Sequence, residues 1–254
     1  MTHAFSLDGR VALVTGASRG IGFAIAEALA DNGARVLLNG RDRTMLVRKT
    51  EEIRAKGGKA EVAAFDVTEA ATVVKAVADA ADKFGRLDIL VNNAGIQHRV
   101  ALTEWTDADV ERVMATNFTA CFRLAREAAR VMIAARFGRI INIGSIGAIL
   151  ARPTIHGYIA SKGAIHALTR SLAAELGPKG ITVNAIAPGY VATELNTALI
   201  ANKEFNEWVC RRTPLGRWAE PREIGGAAVF LASDAASYVN GHVLTVDGGI
   251  SETL

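Results

Sequence analysis

Seven short apolar runs recur along this chain, most of them separated by helical stretches, and that alternation leaves few folds open. They are residues 10–15 (RVALVT), 34–39 (ARVLLN), 60–65 (AEVAAF), 87–91 (LDILV), 139–144 (RIINIG), 180–187 (GITVNAIA) and 242–246 (HVLTV). Strands alternating with helices predict an α/β fold: a doubly wound parallel sheet with helices on both faces. Strands buried on both sides read as continuous apolar runs. A hydrophobic content of 50% and a mean hydropathy of +0.21 agree with that. A chain of 254 residues can hold one such sheet. No linker, repeat or low-complexity segment breaks it, so residues 1–254 are expected to form a single domain. The stretch 190–218 is polar and is expected to be irregular, a loop over one end of the sheet.

The first run leads into GASRGIG at 16–22 and then a helical stretch, 23–32. Strand, glycine turn and helix together make a phosphate site. Gly16, Gly20 and Gly22, with Ser18, Arg19 and Ile21 between them, let the backbone approach a pyrophosphate. The helix N-terminus supplies free N–H groups and a positive dipole end. A dinucleotide is therefore the expected ligand. In such folds an acidic residue at the tip of the second strand bonds the ribose 2′-hydroxyl of NAD. Asn39 and Arg41 stand at that tip, and Arg19 lies in the glycine loop. Planar guanidinium groups suit a 2′-phosphate, so NADP(H) is expected over NAD(H). The alternative leaves both arginines in solvent and turns Asp42 to the ribose. Thr68 is expected to cap the helix that ends near Gly85.

Chemistry is concentrated between residues 145 and 162. Tyr158 and Lys162 are four apart at the start of a predicted helix, which puts both on one face, one turn apart. A free phenol titrates near about 10 and is a poor acid at neutral pH. A lysine cation one turn away stabilises the phenolate electrostatically and makes it a usable proton carrier. Ser145 closes the fifth apolar run, where a strand's carboxyl end meets the ligand crevice of an open α/β sheet.

Bulk properties exclude several classes. The net charge is +3 and the basic residues are scattered, with no run of five, so no nucleic-acid partner is expected. Cys121 and Cys210 are far apart and match no metal or redox spacing, which predicts two buried free thiols and no metal site. No segment reaches about 18 unbroken apolar residues, so no membrane partner is expected. The chain reads as a soluble cytoplasmic protein.

Thr15-Gly16 with Gly20 and Gly22, Asn92-Asn93-Ala94-Gly95, Ser145, Tyr158 with Lys162, and Pro188-Gly189 resemble, in order and spacing, the short-chain dehydrogenase/reductase family. The resemblance covers nearly the whole chain. It implies a seven-stranded parallel sheet and reversible hydride transfer between NADP(H) and a secondary alcohol or ketone. It also implies roles at matching positions. Tyr158 would move the proton, Ser145 would hydrogen-bond the carbonyl oxygen, and Lys162 would tune Tyr158 and hold the nicotinamide ribose. Asn117 would anchor a water chain returning protons to Lys162. Asp66 and Val67 would hold the adenine, while Asn93, Ala94, Gly95, Pro188, Gly189, Val191 and Thr193 would line the cofactor cleft. Homotetramers through helices at 118–136 and 157–177 are implied as well. Within the family, several stretches are most similar to gluconate 5-dehydrogenases, with departures at His98, Gly144 and 146–148.

A sugar acid needs a cation for its carboxylate and polar groups for its hydroxyls. Gln97, His98, Arg99, Arg152, His156 and Glu194 are the candidates. Arg152, between Ser145 and Tyr158, is the first choice because its planar fork binds both carboxylate oxygens. Ile146, Ala148, Ile149 and Leu150 would instead suit an acyl chain, so a 3-oxoacyl thioester reductase is the second reading. Arg126, Arg130 and Arg136 could then dock an acyl carrier. A non-catalytic NADP(H)-binding regulator is a third, and the intact Ser145, Tyr158 and Lys162 argue against it.

Overall fold

The computed structural model describes residues 4–253. Its strands are β1 (Val11–Val14), β2 (Arg35–Gly40), β3 (Lys59–Ala64), β4 (Ile89–Asn92), β5 (Gly138–Ile143), β6 (Ile181–Pro188) and β7 (Val243–Val246). They form one sheet in the order β3-β2-β1-β4-β5-β6-β7, and every neighbouring pair is parallel. Helices α1 (Gly20–Asp31), α2 (Arg43–Ala55) and α3 (Ala70–Phe84) connect the first four strands. Next come α4 (Asp107–Met114), α5 (Ala120–Ala135) and α6 (His156–Leu176), then α7 (Thr197–Ala201), α8 (Lys203–Arg212) and α9 (Arg222–Ala232).

β1 pairs with β2 on one side and β4 on the other. The winding direction reverses there, which opens a crevice beyond the carboxyl ends of the strands. Parallel strands covered on both faces are mostly apolar, and β1, β4, β5 and β6 are buried along their whole length. On one face, Ile25 and Leu29 of α1 meet Ile224 and Ala228 of α9 over the sheet. On the other, Val73 and Val77 of α3 meet Leu124, Ala128 and Met132 of α5. Each large apolar side chain buried this way contributes about 1.5–3 kcal/mol.

Local expectations needed three corrections. Thr68 does not cap α3: Glu69 holds the cap position without a side-chain bond, and Thr68 instead donates from N and Oγ1 to Asp66 Oδ1 at 2.8 and 2.7 Å. The stretch 190–218 is not irregular, since it contains α7 and α8. Cys121 is buried and Cys210 only half-buried, because Cys210 lies on amphipathic α8 rather than in the core. α1 also opens at Gly20, inside the glycine turn, so its N-terminus faces the crevice. Among the described residues, no helix is long and apolar enough to cross a membrane.

Candidate active site

One cleft of about 1260 Å³ runs across the carboxyl ends of the strands. The β1–α1 turn forms its floor, with Gly16, Ser18, Arg19, Gly20, Ile21 and Gly22 all lining it. Thr15 and Asn93 bind that turn to the end of β4. Thr15 Oγ1 accepts from the backbone N–H of Asn93 and Ala94 at 2.9 and 3.1 Å, and Asn93 Nδ2 donates to Thr15 O at 2.8 Å. A Cβ at Gly22 would lie 2.3 Å from Gly16 O and 2.4 Å from Asn93 Nδ2, so the turn closes only around glycine. Arg19, at the cap of α1, makes no side-chain bond to the helix, which leaves the first-turn N–H groups open to the cleft. A bare backbone cradle at a helix N-terminus fits a dinucleotide pyrophosphate.

The end of the cleft expected to take the adenine lies at the tips of β2 and β3. Asp66, Val67 and Arg41 line it, and Arg41 Nη1 stands 4.0 Å from Asp66 Oδ2 with its own side chain largely in solvent. The backbone N–H and hydroxyl of Thr68 hold the Asp66 carboxyl below its usual range, with Arg41 adding a smaller pull. Asn39 also lines the cleft, but its amide is committed to the sheet, donating to Ala63 O and Phe65 O at 3.1 and 3.0 Å.

Ser145, Tyr158 and Lys162 converge at the middle of the cleft, from the end of β5 and the first turns of α6. Lys162 is buried, and its Nζ donates to Ile143 O at 2.6 Å while lying 5.6 Å from the Tyr158 ring centroid. Ser145 Oγ accepts from Gly147 N at 2.9 Å, leaving its hydroxyl hydrogen free to donate. Behind Ser145, a Cβ at Gly144 would lie 2.2 Å from His166 Nε2. No side chain at position 144 can share that space with His166 as it stands. Burial, then the Lys162 and Arg170 cations, holds the His166 imidazole below the usual histidine range.

Asn117 does not line the cleft. It sits fully buried on a π turn, Ala115–Thr119, just behind the lining. Its Oδ1 accepts from Ile96 N at 2.8 Å, and its Nδ2 donates to Ile96 O and Ser161 Oγ, both at 3.0 Å. Ser161 Oγ donates in turn to Tyr158 O at 2.7 Å. The side chain therefore braces the segment after β4 against α6, while the Asn117 main-chain carbonyl accepts from Cys121 Sγ at 3.3 Å.

Gln97 and Arg152 enter the cleft as expected, and Arg99 joins them. Arg99 donates to Gln97 Oε1. Burial, followed by repulsion from Arg152, pushes its guanidinium below the ordinary arginine range. Arg152 Nη1 donates to Tyr190 Oη at 3.4 Å, and its guanidinium lies 4.2 Å from the Phe205 ring centroid. Among the described residues, no carboxylate forms an ion pair with either arginine. Thr154, between Arg152 and Tyr158, takes φ +71°, which disfavours a β-branched side chain; Val100 N donates to its carbonyl at 3.1 Å. His156 is exposed outside the cleft lining, edge-on to Trp105, and His98 turns to Asp109 at 3.5 Å. Pro188, Gly189, Val191, Thr193 and Glu194 form the far wall. Tyr190, Phe205 and Trp208 also line the cleft, though the sequence assigns none of them a site role. Tyr190 directly follows Pro188-Gly189 and could have been found from that; nothing local marks Phe205 or Trp208.

These elements and this site define a Rossmann-type oxidoreductase scaffold, and the comparisons agree. A family model described as enoyl-(acyl carrier protein) reductase matches residues 16–251. The chain belongs to the short-chain dehydrogenase/reductase family. It is 49% identical, over 98% of both chains, to a gluconate 5-dehydrogenase of Gluconobacter oxydans. It is 42% identical, again over 98% of both, to a 5-keto-D-gluconate 5-reductase of Escherichia coli. The crystal structure of a gluconate 5-dehydrogenase from Burkholderia cenocepacia in complex with NADP and tartrate superposes with a TM-score of 0.96. That pair is 45% identical over 99% of this chain and 98% of the other.

Proposed function

We propose that this protein is an NADP(H)-dependent oxidoreductase of open-chain sugar acids, with gluconate and 5-ketogluconate as the first substrate pair to test. The observation that carries this reading is the pair Arg99 and Arg152, two guanidiniums beside Tyr158 without a carboxylate partner. Two neighbouring cations in a partly desolvated cleft need an anion between them, and a sugar carboxylate supplies one. The names of the relatives support the same substrate class.

The bound nicotinamide supplies or takes the hydride. Ser145 and Tyr158 donate to the substrate oxygen, which becomes negative in the transition state. Tyr158 passes the proton, and Lys162 holds a cation beside the Tyr158 ring where that charge develops. Asn117 braces the Tyr158 turn of α6 through Ser161. Arg19 and Arg41 lie where a 2′-phosphate would meet them, and NADP is bound in related structures. Residues 190–218 act as the lid of one cofactor-binding unit. Two free thiols suit the reducing cytoplasm, and the family resemblance supports a homotetramer, which sedimentation can test.

The acyl-thioester reading loses support on α5. Arg126 and Arg130 both pair with buried Glu127, at 2.8 and 2.6 Å, which weakens any docking patch for an acidic carrier. The test is NADPH oxidation with 5-ketogluconate against an acetoacetyl thioester, and with NADH in place of NADPH. At least tenfold higher kcat/KM for 5-ketogluconate with NADPH is expected. A faster thioester rate would exchange the two readings, and equal use of NADH would remove the cofactor assignment.

A further inference from the structure

Arg152 is held in the cleft by the lid. Its guanidinium lies on the Phe205 ring at 4.2 Å, and Phe205 belongs to α8, more than fifty residues further along the chain. Phe205 is fixed in turn by other rings. It stacks on Trp208 with centroids 5.5 Å apart, and Tyr190 meets Phe205, Trp208 and Trp218 at 5.7, 6.0 and 5.3 Å. Trp218 Nε1 donates to Asn206 Oδ1 at 2.7 Å, which ties the end of the lid to α8.

This arrangement answers an electrostatic question. Arg99 is anchored by Gln97, but Arg152 stands near another cation and has a long, flexible stem. Like-charge repulsion should swing it toward water. The 3.4 Å contact to Tyr190 is long for a hydrogen bond and does not hold it strongly. An aromatic face does, because it attracts the cation without using its in-plane N–H groups. Apart from the long Nη1 contact to Tyr190, those N–H groups stay free for a carboxylate in the two-point geometry that arginine favours.

We propose that Phe205 is a specificity-determining positioning residue: through Arg152, the lid sets how strongly the site selects anionic over neutral substrates. This rests on the sugar-acid reading above. Phe205 needs no contact with the substrate to act. A lid displaced from the cleft takes away both the ring and the Tyr190 contact, the two groups that restrain Arg152.

The test is a double-mutant cycle on gluconate affinity, measured by calorimetry with the NADPH-loaded enzyme, in which the reduced cofactor cannot accept a hydride and gluconate is not turned over. The variants are Arg152→Ala, Phe205→Leu, the two combined, and Phe205→Tyr. Each of the first two should weaken gluconate binding about tenfold, and the double variant should bind no more weakly than Arg152→Ala alone. Phe205→Tyr keeps the ring face and should bind like wild type. The inference is overturned if the two losses multiply, if Phe205→Leu alone binds like wild type, or if Phe205→Tyr is as weak as Phe205→Leu. If Arg152→Ala binds gluconate as tightly as wild type, the carboxylate reading itself has failed, an outcome distinct from the other three.

Discussion

Tyrosine and phenylalanine differ by one oxygen, which makes Tyr158→Phe the narrowest probe of proton transfer. The ring would keep its place on α6 beside Lys162. Cofactor binding should persist while kcat falls at least about a hundredfold, within the usual worth of a positioned acid–base group. Retention of more than a tenth of wild-type kcat would move the role elsewhere. Gly144 tests the packing behind the site. Its added methyl would lie 2.2 Å from His166 Nε2, so Gly144→Ala overpacks the core, an insult of about 1–3 kcal/mol. Thermal unfolding should show a lower midpoint, and His166→Ala in the same chain should restore part of the loss. If the single variant melts like wild type, the close approach of these residues is not constraining.

The helix carrying Tyr158 is an element whose buried face is half polar. Ser161, Lys162, His166 and Thr169 of α6 are buried beside Ile165, Ala173 and Leu176. Such a face holds position by directed bonds as well as by apolar area, and Asn117 is the partner that ties it to the segment after β4. Asn117→Ala would leave the Ile96 N–H and carbonyl and one Ser161 bond without partners, at about 1–3 kcal/mol for each buried polar group so exposed. We expect a lower urea midpoint together with reduced kcat, since Ser161 also holds the Tyr158 carbonyl. Full activity in a destabilised variant would separate the brace from the chemistry. The Tyr158–Lys162 spacing was readable because it is local to one helix. The bond from Asn117 to Ser161 spans 44 positions, and no periodicity in either segment announces it.

Across the whole molecule, the cleft touches the ends of most strands, and the lid is fastened near both of its ends to the close of β7 and the turn after it. Gly189 N donates to Val246 O at 3.0 Å, and Leu215 N donates to Gly248 O at 3.3 Å. A dinucleotide lying along that cleft would hold elements from β1 to the lid together. NADP at a hundred times its Kd should then stabilise the fold by about 2.7 kcal/mol, visible as a raised melting midpoint. NAD at the same concentration should raise it less. Equal shifts from the two would contradict the arginine-based preference for the 2′-phosphate.

The sequence by itself determined the sheet, the glycine cradle and the placing of Tyr158 and Lys162 on one helix face. Each depends on neighbours a few residues apart: apolar runs of strand length, glycines admitting close backbone approach, and two side chains one helical turn apart. It also marked Arg152 as a candidate for holding a carboxylate, and Arg152 lines the cleft. Only the tertiary structure decided what surrounds these parts. The polar stretch after Pro188-Gly189 read as irregular because α7 and α8 are short and mostly exposed, so packing against the cleft organises them more than a strong local pattern does. His156 shares a helix with Tyr158 yet faces away from the cleft, whereas Arg99 and Phe205 come to Arg152 from 53 residues before and 53 after it. Those meetings follow from how β4, β5 and the lid are stacked, and stacking is a property of the folded chain rather than of any stretch of it.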